Sequence, residues 1–243
     1  MADGEIITRN HLPHWYVPGA MHFITYRLAG TLPMHVIENL RARKAHLLRQ
    51  KPDDLTLPAH RERVHKQLFA HYDRYLDQSH GRAWLAVPAV AAVIRKSLYY
   101  HDGGKYHLLA YCVMPNHVHV LLQPLEVALR PVSAEQEVQA ATDKDGFGEV
   151  PDASSPLSSI MHSLKSYTAN LANRLLHRAG AFWQHESYDH WVRDENELER
   201  IVDYIAANPV KAGLVKEPHE WFFCSAHDRF LADGAKCGWL PFS

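Results

Sequence analysis

The sequence predicts an α+β protein in which helices pack on one side of a small antiparallel sheet. Two β-rich segments at 106–113 and 117–123 flank a Met-Pro-Asn turn, and this pattern is typical of a hairpin. A third segment, MHFITYRL at 21–28, also alternates and predicts a strand. Segments with helical spacing of apolar residues separate and follow these strands, which favours a mixed fold over an all-β one.

The helices are predicted in chain order from their apolar stripes and their end signals. Pro88 stands where a first-turn proline belongs. Asp194 is expected to cap the last helix, with Glu197 reaching back and Pro209 ending it. The predicted helices cover 36–50, a stretch from about 60 to 76, 88–98, 157–176 and 193–213.

Composition predicts one domain over residues 1–243, because 47% hydrophobic and 22% charged residues are ordinary for a globular chain. No apolar run approaches the roughly 20 residues that cross a bilayer, so no membrane partner is expected. The first residues do not resemble a signal peptide, which favours a cytoplasmic location. The three cysteines are too few and too scattered for a disulfide framework or a thiolate metal site.

The net charge of −1 conceals an uneven distribution. A helical segment at about 34–80 is basic, with nine Lys/Arg against four acids between Arg41 and Arg74. A segment at about 126–157 is acidic and rich in Gly, Pro and Ser, so a loop is expected there. The last part, about 216–243, is interpreted as a C-terminal tail. Each charged run is equally consistent with an ordinary solvated surface.

Two histidines in the second hairpin strand carry the first chemical signal. Side chains alternate along a strand, so His117 and His119 share one face while Val118, Val120 and Leu122 occupy the other. Two neutral imidazoles so placed can chelate a divalent cation. A pair of packing histidines on a polar sheet face is the alternative. A histidine-triad hydrolase is excluded, because Leu121 stands where the third histidine is needed.

The last helix carries the second signal. Tyr204 and Asn208 lie one turn apart, on the flank of the stripe formed by Leu198, Ile201, Val202 and Ile205. They therefore border the core and can point into a cleft over the sheet. The alternative is a packing tyrosine followed by an Asn-Pro helix stop.

Taken together, these motifs resemble the HUH superfamily of single-strand nucleases. The similarity is closest to the REP-associated tyrosine transposases, relatives of the single-tyrosine insertion-sequence transposases. It rests on GAMHFITYRL, AYCVMPNHVHVLLQP, GAFWQHESYDHWVRDENEL, IVDYIAANPVKAGLV and WFFCS, which run in the family's order over most of residues 15–225. The acidic segment is longer than the family typically shows.

The resemblance implies a ferredoxin-like core and a role for each motif residue. His117 and His119 match the metal-binding pair, Tyr204 the nucleophile and Asn208 an amide ligand, which is Gln in the insertion-sequence branch. The cofactor is then a divalent ion, Mg²⁺ or Mn²⁺. The implied activity is cleavage and rejoining of DNA through a 5′-phosphotyrosine, with single-stranded or hairpin DNA carrying palindromic repeats as partner.

Basic side chains are expected to contact DNA phosphates. The oligomeric state stays open between a homodimer, as in insertion-sequence relatives, and a monomer. The candidate DNA contacts are Lys165, Arg174, Arg178 and Arg193, with Arg41, Arg43 and Lys44 from the basic segment.

Two other functions remain open from the sequence. One is a nucleic-acid-binding regulator with the same fold and no cleavage, and the other is a phosphoesterase that uses water. Tyr167 and Tyr188 are competing nucleophile candidates. His185, Asp189 and His190 could form a second metal site, but their spacing favours a structural or DNA-contact role.

Overall fold

The computed structural model describes residues 6–8, 14–77, 81–125, 155–185 and 187–232. The predicted acidic segment lies outside these residues except for its end, and so does the chain after 232. Short 3₁₀ turns at Trp84–Ala86 and Pro218–Glu220 accompany the regular elements. In chain order these are β1 (Ile6–Thr8), β2 (His14–Tyr16), β3 (His22–Arg27), α1 (Met34–Arg49), α2 (Leu57–Asp77), α3 (Pro88–Tyr100), β4 (Tyr106–Val113), β5 (His117–Pro124), α4 (Pro156–Leu175), β6 (Tyr188–Trp191), α5 (Glu195–Lys211) and α6 (Ser225–Ala232).

The centre of the molecule is a four-stranded antiparallel sheet with strand order β4-β5-β3-β6. Helices connect β3 to β4 and β5 to β6, which is the βαββαβ arrangement of ferredoxin-like folds. The predicted α+β class and the β4–β5 hairpin are confirmed. Strand β5 lies between β4 and β3, so its side chains are covered by neighbours on both sides.

Helices cover both faces of this sheet, so the predicted one-sided packing is wrong. Val118, Val120 and Leu122 form one core with α3 and α4. Phe23 and Leu121, on the histidine face, form a second core with residues of α5. Apolar side chains alternate with the histidines on that face, and burying them requires a second layer of helix.

The basic segment forms a helical hairpin, α1–α2, with a small core of its own built from Leu32, Val36 and Leu76. Phe69 of α2 stacks on Tyr188 at 4.1 Å between ring centroids and also meets Phe23 edge-on. Helix α2 therefore lies over the histidine face of the sheet.

Helix α5 begins as predicted but does not end at Pro209. The Asp194 side chain accepts the backbone N–H of Glu197 at 2.8 Å, whereas the Glu197 carboxylate accepts the N–H of Arg193. Proline has a helical φ and loses only one N–H, so α5 continues to Lys211. A Schellman motif closes this end of the helix: Gly213 has a φ of +71°, and the Leu214 N–H bonds to the Pro209 carbonyl.

The described part of the predicted C-terminal tail, up to residue 232, packs along the edge of the sheet. The Trp221 indole donates to the carbonyl of Val113 at 3.0 Å, and the Val113 N–H bonds to the carbonyl of Phe223. Cys224 forms an antiparallel β-bridge with Cys112, and both cysteines are buried and not in a disulfide. These contacts protect the otherwise open edge of β4. None of the helices in the described ranges has the length and apolar character needed to span a membrane.

Candidate active site

The two β5 histidines converge beneath the surface. His117 and His119 are fully buried, and their Nε2 atoms lie 3.0 Å apart. The valines between and after them pack into the opposite core, which fixes the register and forces both imidazoles onto one face.

Neighbouring polar groups orient both rings. Asn116 Oδ1 accepts a hydrogen bond from His117 Nδ1 at 2.6 Å, while its amide nitrogen donates to the carbonyl of Leu76. Thr25 Oγ1 lies 2.8 Å from His119 Nδ1 and can accept a hydrogen bond from it. With the protons on Nδ1, both Nε2 lone pairs point at the same place, as metal-binding histidines require.

A carboxylate from α2 completes this cluster, and no motif in the sequence indicated it. Asp73 Oδ1 lies 3.6 Å from His119 Nε2, and ligand atoms of Asp73, His117 and His119 all lie within 4.8 Å of one another. Across the described ranges, this is the one group of three such side chains that converges so closely. Asp73 Oδ1 is buried without a hydrogen-bond partner, as a ligand atom for a cation should be.

Burial keeps the histidines neutral. Desolvation lowers the pKa of His117 well below its ordinary value, and the neighbouring His119 and Lys211 lower it further. Desolvation also lowers the pKa of His119 to about 4, although Asp73 opposes that shift. Neutral imidazoles have free lone pairs at physiological pH, so a divalent cation need not compete with protons.

Two further polar groups lie beside the cluster without normal hydrogen bonds. Both side-chain amide atoms of Asn208 are buried, and neither makes a hydrogen bond of normal geometry. The amide nevertheless raises the pKa of His119, which shows that the two side chains are neighbours. The Tyr204 hydroxyl is also buried and unpaired. A buried cluster of unpaired oxygens and imidazole nitrogens fits a divalent cation. Direct ligation by Asn208 stays a prediction.

Tyr204 lies against the histidine pair. Its ring centroid is 5.4 Å from that of His119, and Phe23 and Phe69 meet it edge-on. Burial raises the pKa of the phenol, and the charge of Asp73 raises it further. The hydroxyl is therefore protonated at neutral pH.

Lys211 connects α5 to α2 at this site. Its ammonium donates to Asp73 at 2.9 Å and pairs with Asp77 at 2.8 Å. It also lies 5.5 Å from the centroid of the Tyr204 ring. Burial lowers the pKa of Lys211, but the two carboxylates outweigh this effect and raise it overall. A fixed positive charge therefore borders the candidate metal position.

The other candidates from the sequence occupy different environments. Tyr167 is 53% exposed on α4, and Tyr188 is buried under Phe69. His190 Nε2 bonds to Glu197 at 3.0 Å, so it pairs with a carboxylate of α5. No cluster of the described residues joins it to His185 and Asp189, and the favoured structural role fits this arrangement.

The candidate DNA contacts differ in their exposure and in their neighbours. Lys165 donates to the carbonyls of Gln184 and His185 and to the hydroxyl of Ser187, so it ties α4 to the loop before β6. Arg178 lies 3.7 Å from the centroid of the Trp84 ring. As DNA contacts these residues stay predictions. Among the others, Arg174, Arg193 and Arg43 are exposed and Lys44 is half-buried, whereas the side chain of Arg41 lies outside the described residues.

Comparison with known proteins gives the following relatives. A Haemophilus influenzae protein provisionally named a REP-associated tyrosine transposase is 27% identical over 122 residues, 50% of this chain and 60% of that protein. The Escherichia coli REP-associated tyrosine transposase is 40% identical over 45 residues, 18% of this chain and 27% of that protein. The chain therefore spans less than two thirds of either relative. The resemblance to REP-associated tyrosine transposases inferred from the motifs is confirmed.

A solved structure of a REP-associated tyrosine transposase bound to a REP hairpin is also similar. Its TM-score is 0.49 at 17% identity, over 92% of this chain and 86% of the other. No model of a known protein family matches the chain.

Proposed function

We propose that this protein is a metal-dependent transposase or endonuclease of the HUH type that cleaves and rejoins single-stranded DNA. The observation that carries the proposal is the convergence of Asp73, His117 and His119 beside the ring of Tyr204. A buried, neutral histidine pair with an added carboxylate provides ligands for a cation, and the adjacent phenol of Tyr204 provides a nucleophile.

The proposed reaction is a transesterification. The Tyr204 oxygen forms a bond to phosphorus while the bond to the 3′ oxygen breaks, which leaves a 3′ hydroxyl and a 5′-phosphotyrosine. The proton that leaves Tyr204 balances the one taken up by the departing 3′ oxygen, so the step neither gains nor loses a proton overall. Because the phosphodiester energy is retained in the tyrosyl bond, a 3′ hydroxyl of another strand can attack and rejoin the DNA.

His117, His119 and Asp73 are the side chains that would hold Mg²⁺ or Mn²⁺, with Asn208 as a further candidate. The ion, when bound, supplies a Lewis acid that withdraws charge from the phosphate oxygens. Mn²⁺ accepts imidazole ligands more readily than Mg²⁺ does, and both ions accept carboxylate oxygens. Asn116 and Thr25 keep the imidazoles aimed at the ion position.

Hairpin-forming palindromic repeats are the proposed substrate, since both curated relatives carry the name REP-associated tyrosine transposase. Basic side chains on α1 and near the end of α4 are proposed to hold the backbone phosphates. A cytoplasmic location and a homodimer remain parts of the proposal that oligomer and localisation measurements can check.

The test uses end-labelled hairpin DNA with single-stranded flanks, incubated with the full chain and Mn²⁺ or Mg²⁺ and then denatured. We expect a covalent protein–DNA adduct that disappears in Tyr204→Phe and when EDTA replaces the metal. Tyr167→Phe, which alters an exposed tyrosine outside the cluster, is the matched control and should retain the adduct.

Other outcomes identify the alternatives. DNA binding without cleavage by the wild type would indicate a non-catalytic regulator. Cleavage that survives in Tyr204→Phe would indicate a phosphoesterase that uses water. Either result refutes the proposed function.

A further inference from the structure

Arg27 is a buried arginine beside the histidine pair. It is the last residue of β3, its relative exposure is 5%, and its strand partner is His117. Directly opposite residues of antiparallel strands project to the same face. The guanidinium group therefore lies on the histidine face of the sheet, the same face that carries the candidate metal position.

This guanidinium has no counterion in the part of the chain that the structure describes. It donates one hydrogen bond, to the hydroxyl of Thr31 at 3.1 Å, and lies 5.9 Å from the centroid of the Tyr72 ring. Arginine carries five N–H donors and stays charged at all relevant pH values. Burying such a charged group with a neutral hydroxyl as its acceptor is unfavourable. Most of its N–H donors are therefore available to bind an anion.

Carboxylates that could have neutralised Arg27 are used elsewhere. Asp73 follows Tyr72 directly on α2, and Asp77 lies one turn later, yet both pair with Lys211. The hydroxyl of Thr31 donates to the carbonyl of Leu28, so it is satisfied without the arginine. Stability alone therefore gives no reason for a charged side chain at position 27.

We propose that Arg27 is an anion-binding residue that takes the phosphate group of a phosphodiester. The fork of guanidinium N–H groups matches two phosphate oxygens, and its position opposite His117 puts it at the phosphate on which Tyr204 acts. The proposal rests on the proposed function for the identity of the anion. It adds a residue and a ligand contact that neither the motifs nor the metal cluster includes.

The experiment separates anion binding from cleavage and from folding. The probe is thymidylyl-thymidine, a dinucleotide with a single phosphodiester, titrated in the presence of Mn²⁺ into the full chain by calorimetry. We expect Arg27→Met to bind it roughly 10- to 100-fold more weakly, as for the loss of a charge-assisted hydrogen-bond pair. Arg200→Met, at an exposed arginine of α5, is the control and should match the wild type.

Thermal unfolding without the dinucleotide distinguishes function from structure. Because Arg27→Met removes an uncompensated buried charge, its Tm should equal or exceed that of the wild type. A lower Tm with unchanged dinucleotide affinity would show a purely structural arginine and overturn the proposal. If Arg27→Met fails to fold, Arg27→Lys replaces it, and unchanged affinity in that variant overturns the proposal equally.

The two proposals fail in different ways. Arg27-dependent dinucleotide binding by a protein that forms no DNA adduct leaves the anion site in place and refutes strand cleavage. A normal adduct and normal dinucleotide binding in Arg27→Met refute the anion site alone.

Discussion

The carboxylate of Asp73 has two partners that define its role. One oxygen accepts from Lys211, and the other faces His119 without a hydrogen bond. Asp77, one turn later, also pairs with Lys211 but lies outside the cluster of possible ligands. These two aspartates therefore form a matched pair, of which one is a candidate ligand and the other is not.

We expect Asp73→Asn to lower Mn²⁺ affinity at least about tenfold, because it removes a charged oxygen ligand. Asp77→Asn, the control, should bind Mn²⁺ nearly as the wild type does. Calorimetric or electron paramagnetic resonance titration measures both affinities. Equal affinity in wild type and Asp73→Asn would place the ion elsewhere.

The lowered pKa of His119 makes stability depend on pH. The unfolded chain takes up this proton near pH 6.5, whereas the folded chain takes it up near pH 4. Between these values the unfolded state binds more protons, so the free energy of unfolding falls as the pH falls. The His119 contribution to this loss is about 3 kcal/mol, all of it below neutral pH.

Urea unfolding in EDTA at several pH values between 7.5 and 4 measures this dependence. His119→Asn should show a shallower loss of stability on acidification, whereas His35→Asn, at an exposed histidine of α1, should follow the wild type. Parallel curves for wild type and His119→Asn would contradict the assigned burial.

The site was only partly predictable from the sequence at this scale. Strand alternation sufficed to place His117 and His119 on one face, and helical spacing sufficed to group Tyr204 with Asn208. Asp73 and Arg27 come from other elements, and their approach depends on strand register and helix packing that no local pattern specifies. One sequence feature could have indicated Asp73: it forms an acidic pair with Asp77, one turn later, within the basic segment.

At the scale of elements, α2 covers the candidate active site. Phe69 packs on Tyr204, Asp73 faces His119, and the carbonyl of Leu76 bonds to Asn116. The histidines and Asn208 have no exposed surface. Under the proposed function we therefore expect α2 to move before a DNA phosphate reaches them. The ion pair between Lys66 and Glu197 fastens this helix to α5.

We expect Lys66→Met to loosen α2, because it removes that ion pair. Apparent affinity for single-stranded DNA should rise severalfold, since a larger fraction of molecules is open. Hydrogen exchange of α2 amides should quicken in the same variant.

Arg63→Met is the control, because Arg63 is an exposed cation of α2. It removes the same charge without loosening the helix. If both variants bind DNA alike and exchange alike, α2 does not limit access to the site.

At the scale of the whole molecule, the described chain after α5, up to residue 232, is part of the folded unit. Asp228 of α6 binds Arg95 and Tyr111, and it accepts from Tyr99 Oη at 2.7 Å. These partners belong to α3 and β4, so the interaction holds the C-terminal segment across the sheet edge. The sequence indicated a tail here, because charge complementarity between distant segments is invisible in local patterns.

We expect Asp228→Asn to lower the Tm by roughly 5 °C, since it removes a charged acceptor shared by three donors. Scanning calorimetry measures the change. Asp203→Asn, at an exposed aspartate of α5, should leave the Tm within about 1 °C of the wild type. A similar Tm for both variants would show that the C-terminal segment contributes little to the fold.

Strand cleavage by Tyr204 is tested by identifying the residue that carries DNA after the reaction. The full chain is incubated with hairpin DNA and Mn²⁺, digested with nuclease and protease, and analysed by mass spectrometry. We expect a nucleotide 5′-phosphate linked to Tyr204 in its α5 peptide. A nucleotide on Tyr167 or Tyr188, or cleaved DNA with no modified tyrosine, would contradict strand cleavage by Tyr204.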